Sequence, residues 1–165
     1  AHTQTLREGG KTVAILPSPI TDILPQINRD LAETIVQQHG LLVSEYLDKA
    51  SSKMELNGRY VERDRLQALF SDCVILTASY AENDSGLDSG SRHAMNYASS
   101  YAIPRAVIYD ARLHEYNPTY ELNRRLINDD RSITVINIDN MSDAIRGLVS
   151  PSSSTPLWVQ SGLFN

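Results

Sequence analysis

Short apolar runs recur along this chain and alternate with segments whose apolar residues follow a helical period. Residues 12–16 (T-V-A-I-L) and 73–77 (C-V-I-L-T) are two such runs, and their nearly continuous apolar character suits strands buried on both faces. Strands that alternate with helices are typical of βαβ units. We therefore expect an α/β fold in which a doubly wound, mainly parallel sheet carries helices on both faces.

The predicted elements follow this alternation. Strands are expected at residues 12–16, 41–44, 73–77, 106–109 and 133–137. Helices are expected at about residues 28–39, 61–70, 91–101, 120–128 and 142–149. Residues 18–24 and 47–58 are polar or contain proline, so both segments are predicted to be loops.

Length and composition predict the domain organisation. The chain has 165 residues, of which 41% are hydrophobic and 21% are charged, which is ordinary for a globular domain. We expect one domain over residues 1–149 and, from residue 150 on, a Ser/Pro-rich linker with a short apolar tail. The tail, which either docks on this domain or contacts a partner, holds Leu157, Trp158, Val159, Leu163 and Phe164.

The sequence also bears on the cellular compartment. No apolar run approaches the roughly 20 residues that span a bilayer, and the N-terminal residues lack the layout of a signal peptide. Cys73 is the only cysteine and lies within an apolar run, so it forms no intrachain disulfide and is expected in the core. We expect a cytoplasmic protein without membrane contact.

The charge balance limits how the chain binds anions. The formal net charge of −5 argues against a protein that coats nucleic acid through bulk positive charge. Of the 15 basic residues, 12 are arginine and 3 are lysine, which favours forked, geometry-specific recognition of phosphate. Any nucleic-acid binding is therefore expected at a local patch.

One candidate anion site is the turn Ser89-Gly90-Ser91-Arg92, which follows the third predicted strand and opens a predicted helix. Backbone amides at a helix N-terminus attract anions. In one interpretation Ser89, Gly90 and Ser91 cradle a phosphate with help from Arg92. In the other, the turn is a plain loop in which Ser91 caps the helix. The two interpretations are compatible, because capping and anion binding use different amides.

A second cluster offers cations and an aromatic ring. Lys11 follows two glycines directly before a strand, where it either reaches a bound backbone or is an ordinary exposed lysine. Arg63 and Arg65 are two residues apart at a predicted helix start, so they point in different directions. One binds while the other braces, or either pairs with a carboxylate such as Glu45. Tyr60 either stacks on an unpaired base or covers the end of the sheet.

The sequence gives little support for a catalytic motif or a metal-binding motif. His93 and Ser91 are too close at a helix start to act as base and nucleophile, and no Gly-x-Ser-x-Gly elbow is present. The four histidines are far apart, without ligand spacing or cysteine partners. No dinucleotide or Walker motif occurs. We therefore expect no metal, no cofactor and no enzymatic activity.

Several collinear segments resemble motifs of the DNA-processing protein A family. The family patterns A-H, G-G-K-T-I-A-V-L, Y-P-x-x-N, G-x-L-x-S-E-Y, F-P-x-R-N-R, S-G-S-x-x-T-A-x-x-A and N-x-L-I have counterparts here. These are A-H at residues 1–2, G-G-K-T-V-A-I-L at 9–16, L-P-Q-I-N at 24–28, G-L-L-V-S-E-Y at 40–46, Y-V-E-R-D-R at 60–65, S-G-S at 89–91 and N-R-R-L-I at 123–127. Their order over roughly residues 1–140 carries the resemblance.

The resemblance implies a Rossmann-like domain that binds single-stranded DNA and loads a RecA-type recombinase during natural transformation. It implies a DNA contact at Lys11. It also implies a homodimer to which the late helices contribute, and the apolar residues there suit either an interface or the core. These residues are Leu122, Leu126 and Ile127.

The sequence departs from the family pattern at several positions. Asp64 stands where the family has Asn between two arginines, Val61 replaces a proline, and Ala94-Met95 replaces a Thr-Ala pair. In the family, a strand and a Ser-Gly loop with a DNA-contacting arginine precede the Ala-His pair. Either the natural protein has residues ahead of Ala1, or it is a reduced relative.

Three functional hypotheses follow. The first is a non-enzymatic module for single-stranded DNA whose contacts involve Lys11, Tyr60, Arg63, Arg65 and the turn at 89–92. The second is a nucleotide-binding or nucleotide-processing Rossmann-like protein, although the Glu that related hydrolases carry at a comparable helix start is absent from the turn. The third is a protein-interaction domain whose DNA site has decayed.

Overall fold

The computed structural model describes residues 1–81 and 90–150. Two predicted features, Ser89 and the apolar tail, lie outside these ranges. The described chain falls into two compact units. Unit 1 comprises Ala1–Ser71 and Arg92–Tyr101, and unit 2 comprises Asp72–Ser91 and the chain from Ala102 on. The expectation of one domain over residues 1–149 stays a prediction.

Unit 1 is built on a parallel pair of strands, β1 (Val13–Leu16) and β2 (Leu41–Ser44), in which Val13 pairs with Leu41 and Leu16 with Ser44. Its helices are α1 (His2–Arg7), α2 (Arg29–Gln37), α3 (Lys53–Leu69) and α4 (Ser91–Ser100), which belongs to this unit from Arg92 on. A buried cluster between β1, α1 and α2 forms its core. Its members are Leu6, Ala14, Leu16, Ile23, Ala32 and Ile35.

Gly40 allows β2 to start directly after α2. A Cβ at this position would come within 2.5 Å of the Thr12 carbonyl oxygen and 2.7 Å of the Ile35 side chain. That close approach permits the Leu41 amide to donate to the Thr12 carbonyl at 3.0 Å, which opens the strand pairing. The helix stop predicted at Gly40 therefore also sets the register of the two strands.

Unit 2 contains a three-stranded parallel sheet in the order β3 (Val74–Leu76), β4 (Arg105–Ile108), β5 (Thr134–Ile136). The helices α5 (Ala111–His114) and α6 (Glu121–Asp129) lie between β4 and β5, and α7 (Met141–Val149) follows β5. The sheet residues Ala106, Val107 and Ile136 are buried, as an α/β core requires.

The predicted α/β class with parallel, Rossmann-like strand–helix alternation is confirmed. All five predicted strands form, with ends that differ by one residue at most from the prediction. The five predicted helices also form, but the loop predicted at residues 47–58 is wrong from Lys53 on, because α3 starts there. The helices α1 and α5 were not predicted.

Candidate nucleic-acid interface

Helix α3 carries Tyr60, Arg63 and Arg65 in its interior, not at its start as the sequence pattern predicted. The helix begins earlier because Ser52 caps it: the Ser52 hydroxyl accepts from the Glu55 amide at 3.1 Å. At least seven residues of the helix, about two turns, therefore lie on the N-terminal side of these three side chains. Helix amides are satisfied there, so any anion bound at Arg63 meets side chains and not a helix terminus.

The start of α3 is tied down by a second set of hydrogen bonds. The Glu55 carboxylate accepts from the amide and hydroxyl of Ser51 at 2.8 and 2.6 Å, and from Arg59 at 2.6 Å. These bonds, that from the Ser51 hydroxyl foremost, lower the pKa of Glu55 to about 2. The ionised carboxylate thus fixes the first turn at neutral pH.

Arg59 is a structural arginine. It is 8% exposed, donates to the Asp48 carbonyl at 2.7 Å, and lies over the Tyr46 ring with 4.2 Å from Cζ to the ring centroid. The Tyr46 hydroxyl in turn donates to Glu62 at 2.7 Å, and burial together with this carboxylate raises the pKa of Tyr46 to about 12. The guanidinium of Arg59 is thus fully engaged within unit 1.

Arg65 braces α3 against the end of β2. Its Nη2 lies 2.8 Å from both carboxylate oxygens of Glu45, the residue that directly follows the strand. The hydrogen bonds to Glu45 and its charge raise the pKa of Arg65. The predicted alternative of an internal ion pair between an arginine of this cluster and Glu45 therefore holds for Arg65.

Arg63 has a different environment. Its guanidinium carbon lies 5.0 Å from the centroid of the Tyr60 ring, one helical turn earlier, which is a cation–π distance. Its Nε is 3.6 Å from Asp64 Oδ1, an ion pair beyond hydrogen-bond distance, and this buried Nε has no hydrogen-bond partner within the described chain. The side chain remains 29% exposed. Arg63 and Tyr60 together present a cation and a ring.

Other charges surround the Arg63 guanidinium. The Asp64 side chain is only 13% exposed, and burial raises its pKa although Arg63 and His93 oppose that shift. Burial, the N-terminal ammonium and Arg63 together lower the pKa of His2. His2 and Arg63 line one cleft of about 280 Å³, whose walls also include Gln67 and Phe70. The surroundings of Arg63 thus include the Asp64 carboxylate and the His2 imidazole.

Lys11 lies in the same unit, ahead of β1. It is exposed and follows Gly9, whose φ of 72° makes the turn after α1. The next residue, Thr12, shares a hydrogen bond of 2.7 Å with the His2 ring, and His2 in turn lines the cleft beside Arg63. The structure thus ties the strand entry at Lys11 to the cleft that contains Arg63.

The predicted turn before α4 is described from Gly90 on. Gly90 has a φ of 72°, a left-handed conformation that favours glycine, and α4 starts at the next residue, Ser91. Arg92 is half-buried. His93 in the first turn of α4 acts electrostatically on Asp64 of α3, the neighbour of Arg63, and opposes the rise in the pKa of that carboxyl.

An aromatic pair on α4 was not predicted. The rings of Tyr97 and Tyr101 stack with 6.2 Å between centroids and 12° between planes, and Tyr101 is 41% exposed. Both phenols act on Arg65 of α3 and help to raise its pKa. The spacing of two tyrosines four residues apart on a predicted helix is the signal that would have found them. They add ring faces to the arginine-bearing side of unit 1.

Residues 1–81 and 90–150 bear on two further features, a metal site and a membrane-spanning helix. Within those ranges no group of three or more potential ligand side chains lies close enough to hold a metal ion. No helix in the same ranges combines the length and apolar character that crossing a bilayer demands. Cys73 is half-buried, and burial raises the pKa of its thiol.

Comparison with protein families gives a match over most of the chain. The family model described as DNA recombination-mediator protein A matches residues 1–146. Protein Smf of Borreliella burgdorferi is 32% identical over 88 residues, which is 52% of this chain and 26% of that protein.

A solved structure shares the fold. DNA processing protein A (DprA) from Streptococcus pneumoniae matches with a TM-score of 0.62 at 22% identity, over 82% of this chain and 43% of that chain. The chain thus spans about a quarter of the length of the Borreliella protein and less than half of the Streptococcus chain.

Proposed function

Since this chain belongs to the family of the DNA recombination-mediator protein A, we propose that it binds single-stranded DNA and passes it to a RecA-type recombinase. The observation that carries the proposal is the Tyr60–Arg63 pair, a ring and a guanidinium side by side on one helix. A nucleotide in a single strand offers a base face that is complementary to the Tyr60 ring and a phosphate that is complementary to the Arg63 guanidinium.

The other arginines of the cluster support the assignment by contrast. Arg59 is held by Glu55 and a backbone carbonyl, and Arg65 by Glu45. Either arginine would have to break its ion pair with a carboxylate before it bound phosphate. The free energy of that existing ion pair would then be lost. Among the residues that the structure describes, Arg63 has only the longer ion pair with Asp64 to lose. In this proposal Arg63 binds the phosphate, and Arg65 positions the helix.

Lys11 and the turn at 89–92 complete the proposed site. Lys11 supplies an ammonium contact to the DNA backbone in addition to the Arg63 guanidinium. The amides at Gly90 and Ser91, with Arg92, supply an anion site at the start of α4. Ser89 belongs to the proposed site on the basis of the sequence. All these contacts address phosphate or a ring face, so binding is expected to tolerate many sequences.

In this proposal the protein acts by binding and not by catalysis. It forms a homodimer in the cytoplasm, where its partners are single-stranded DNA and the recombinase. Leu122 is buried in the protein, so Leu126 and Ile127, which are half-buried, are the better candidates of the three for the dimer contact. A role in natural transformation is part of the same proposal. A nucleotide sensor is the alternative, because phosphate and a base also occur in mononucleotides.

A fluorescence-anisotropy titration with oligothymidine tests the proposal. The oligomer has about 16 nucleotides, the upper end of the usual site size. If Lys11, Arg63 and Arg92 each contact one phosphate, a plot of the logarithm of the association constant against the logarithm of the salt concentration should have a slope of about −2. Absence of binding at low salt would remove the proposal, and equal competition by thymidine monophosphate would favour the nucleotide sensor.

Arg63→Ala is the matched variant. It should weaken binding about tenfold, the loss of one charge-assisted contact, and flatten the salt slope by about 0.7. Arg131→Ala is the control, because Arg131 is an exposed arginine of unit 2 outside the proposed site. If both variants lose affinity equally, the arginines act through net charge alone and Arg63 has no special contact.

A further inference from the structure

Helix α7 in unit 2 has an apolar face that the described chain leaves uncovered. Met141, Ile145 and Val149 recur every four residues along it, and their exposed fractions are 44%, 40% and 53%. No residue of this helix is buried. Residues four apart on a helix lie on one side, so the three side chains form a continuous stripe.

The stripe adjoins an open cleft. The cleft has a volume of about 650 Å³, and its walls come from the starts of the strands and from the last turns of α7. Leu148, Val149 and Ser150 line it, and Asp72 and Asp143 add two carboxylates. Polar and apolar residues both line the cleft, and beside it the stripe exposes three large apolar side chains, more than one exposed residue would leave.

The residues that follow Ser150 have a composition suited to packing on this apolar face. Its sequence is P-S-S-S-T-P-L-W-V-Q-S-G-L-F-N, which holds five large apolar residues and no charged side chain. The six residues before Leu157 span at most about 20 Å, and a nine-residue helix is about 14 Å long. The apolar part can therefore reach any point of α7.

We infer that residues 157–164 fold back and pack on the Met141–Ile145–Val149 face of α7. The tail is tethered at Ser150, which itself lines the cleft, so its effective concentration there is in the millimolar range expected for a short linker. A second copy of the chain at micromolar concentration competes poorly with a tethered segment. Burial of Leu157, Trp158 and Phe164 supplies the free energy that holds the tail in place.

Trp158 gives the inference a direct test, because it is the only tryptophan of the chain. The 165-residue protein should emit at a shorter wavelength than the same protein in denaturant, and acrylamide should quench the emission less. Both quantities should stay constant when the protein is diluted, since the contact is intramolecular. An emission that matches the denatured chain would overturn the inference, and a concentration-dependent shift would assign the face to a second copy.

Ile145→Glu tests the docking face. A carboxylate in the stripe should shift the Trp158 emission to longer wavelength, whereas Asn128→Glu, which adds the same charge at an exposed position of α6, should not. Circular dichroism checks that both variants fold. If Ile145→Glu unfolds, the double variant Leu157→Ser with Phe164→Ser changes the tail alone and should give the same red shift. A blue-shifted emission that survives these changes would place the tail elsewhere and overturn the inference.

Discussion

Three arginines on one helix have three different environments, and side-chain partners decide which of them is available to a ligand. Arg59 is buried with two hydrogen bonds and Arg65 is paired with Glu45, whereas the ion pair of Arg63 within residues 1–81 and 90–150 is the long one with Asp64. Residue type alone predicted a phosphate-binding cluster, and the ion pair with Glu45 was one of its alternatives. Glu45 and Arg65 are 20 residues apart in the sequence, so only the folded structure reveals which arginine is paired.

Asp64→Asn should strengthen binding of single-stranded DNA severalfold. The substitution removes a negative charge next to Arg63 and releases the guanidinium for phosphate. The measurement is the anisotropy titration with oligothymidine at low salt. Glu62→Gln is the control, because it removes one charge from the same helix and keeps an oxygen that accepts from Tyr46. Equal gains in both variants would show a general charge effect and contradict a local role for Asp64.

The same Asp64→Asn substitution should also stabilise the fold at neutral pH. Burial raises the pKa of Asp64, so the folded state prefers the proton and loses stability as the pH rises through that value. Asn carries no such penalty. Urea unfolding at neutral pH should therefore show a higher midpoint for the variant, and a lower midpoint would mean that the ion pair with Arg63 outweighs desolvation.

Asn123 is a second residue whose role depends on the fold. It is fully buried, and its amide nitrogen donates to the carbonyls of Leu76, Thr77 and Ile108 at 3.4, 3.1 and 3.0 Å. The side chain thus joins α6 to the carboxyl ends of β3 and β4. The sequence placed this residue in a family motif without indicating that it holds two strands.

Asn123→Ala should lower the free energy of unfolding by about 1–3 kcal/mol, because it leaves buried carbonyls without a donor. Urea denaturation gives the value. Asn128→Ala, at an exposed position of the same helix, should change stability by at most about 0.5 kcal/mol. Equal effects of the two substitutions would mean that the three bonds contribute nothing beyond helix propensity.

At the scale of elements, the strands were predictable and the long helix only in part. Apolar runs fix where β1 to β5 lie, since few other segments can be buried on both faces. Helix α3 starts eight residues before the prediction, at the polar sequence S-K-M-E, whose composition is typical of a loop. Ser52 and Glu55 have the spacing of a capping box, and that signal was available in the sequence. The short helix α1 carries too few apolar positions for a period to be seen.

The start of α3 should be sensitive to acid through Glu55. Its pKa is lowered to about 2 from an ordinary value of 4.5, so its stabilising contribution is present above about pH 4.5 and is lost as the pH falls towards 2. Glu55→Gln should therefore be less stable than the wild type at neutral pH, and the difference should shrink at about pH 3. Urea midpoints at the two pH values measure it. A difference that does not change with pH would contradict a role for the charge.

On the scale of the whole molecule, the chain is an acidic protein for which we propose a local site with cationic side chains. A net charge of −5 opposes approach of a polyanion at long range, and salt screens this repulsion as well as the attraction of the site. The sequence indicated the fold class and the family, because collinear motifs report both. It did not indicate the division into two compact units, since that depends on which contacts form between strands distant in the chain.

The central claim is that Tyr60 and Arg63 contact a base and a phosphate of single-stranded DNA. The most direct test compares affinities for oligothymidine and for an abasic strand of equal length. Tyr60→Ala should lose about 1–3 kcal/mol on oligothymidine and almost nothing on the abasic strand, because only the former offers a ring to stack. Arg63→Ala should lose affinity for both, since both carry phosphates.

Tyr116→Ala is the control for this comparison, since Tyr116 is 90% exposed in unit 2 and should affect neither strand. The predicted result is a loss for Tyr60→Ala that requires the bases. A Tyr60→Ala variant that binds oligothymidine as tightly as the wild type, or that loses equally on both strands, would contradict the proposed contact.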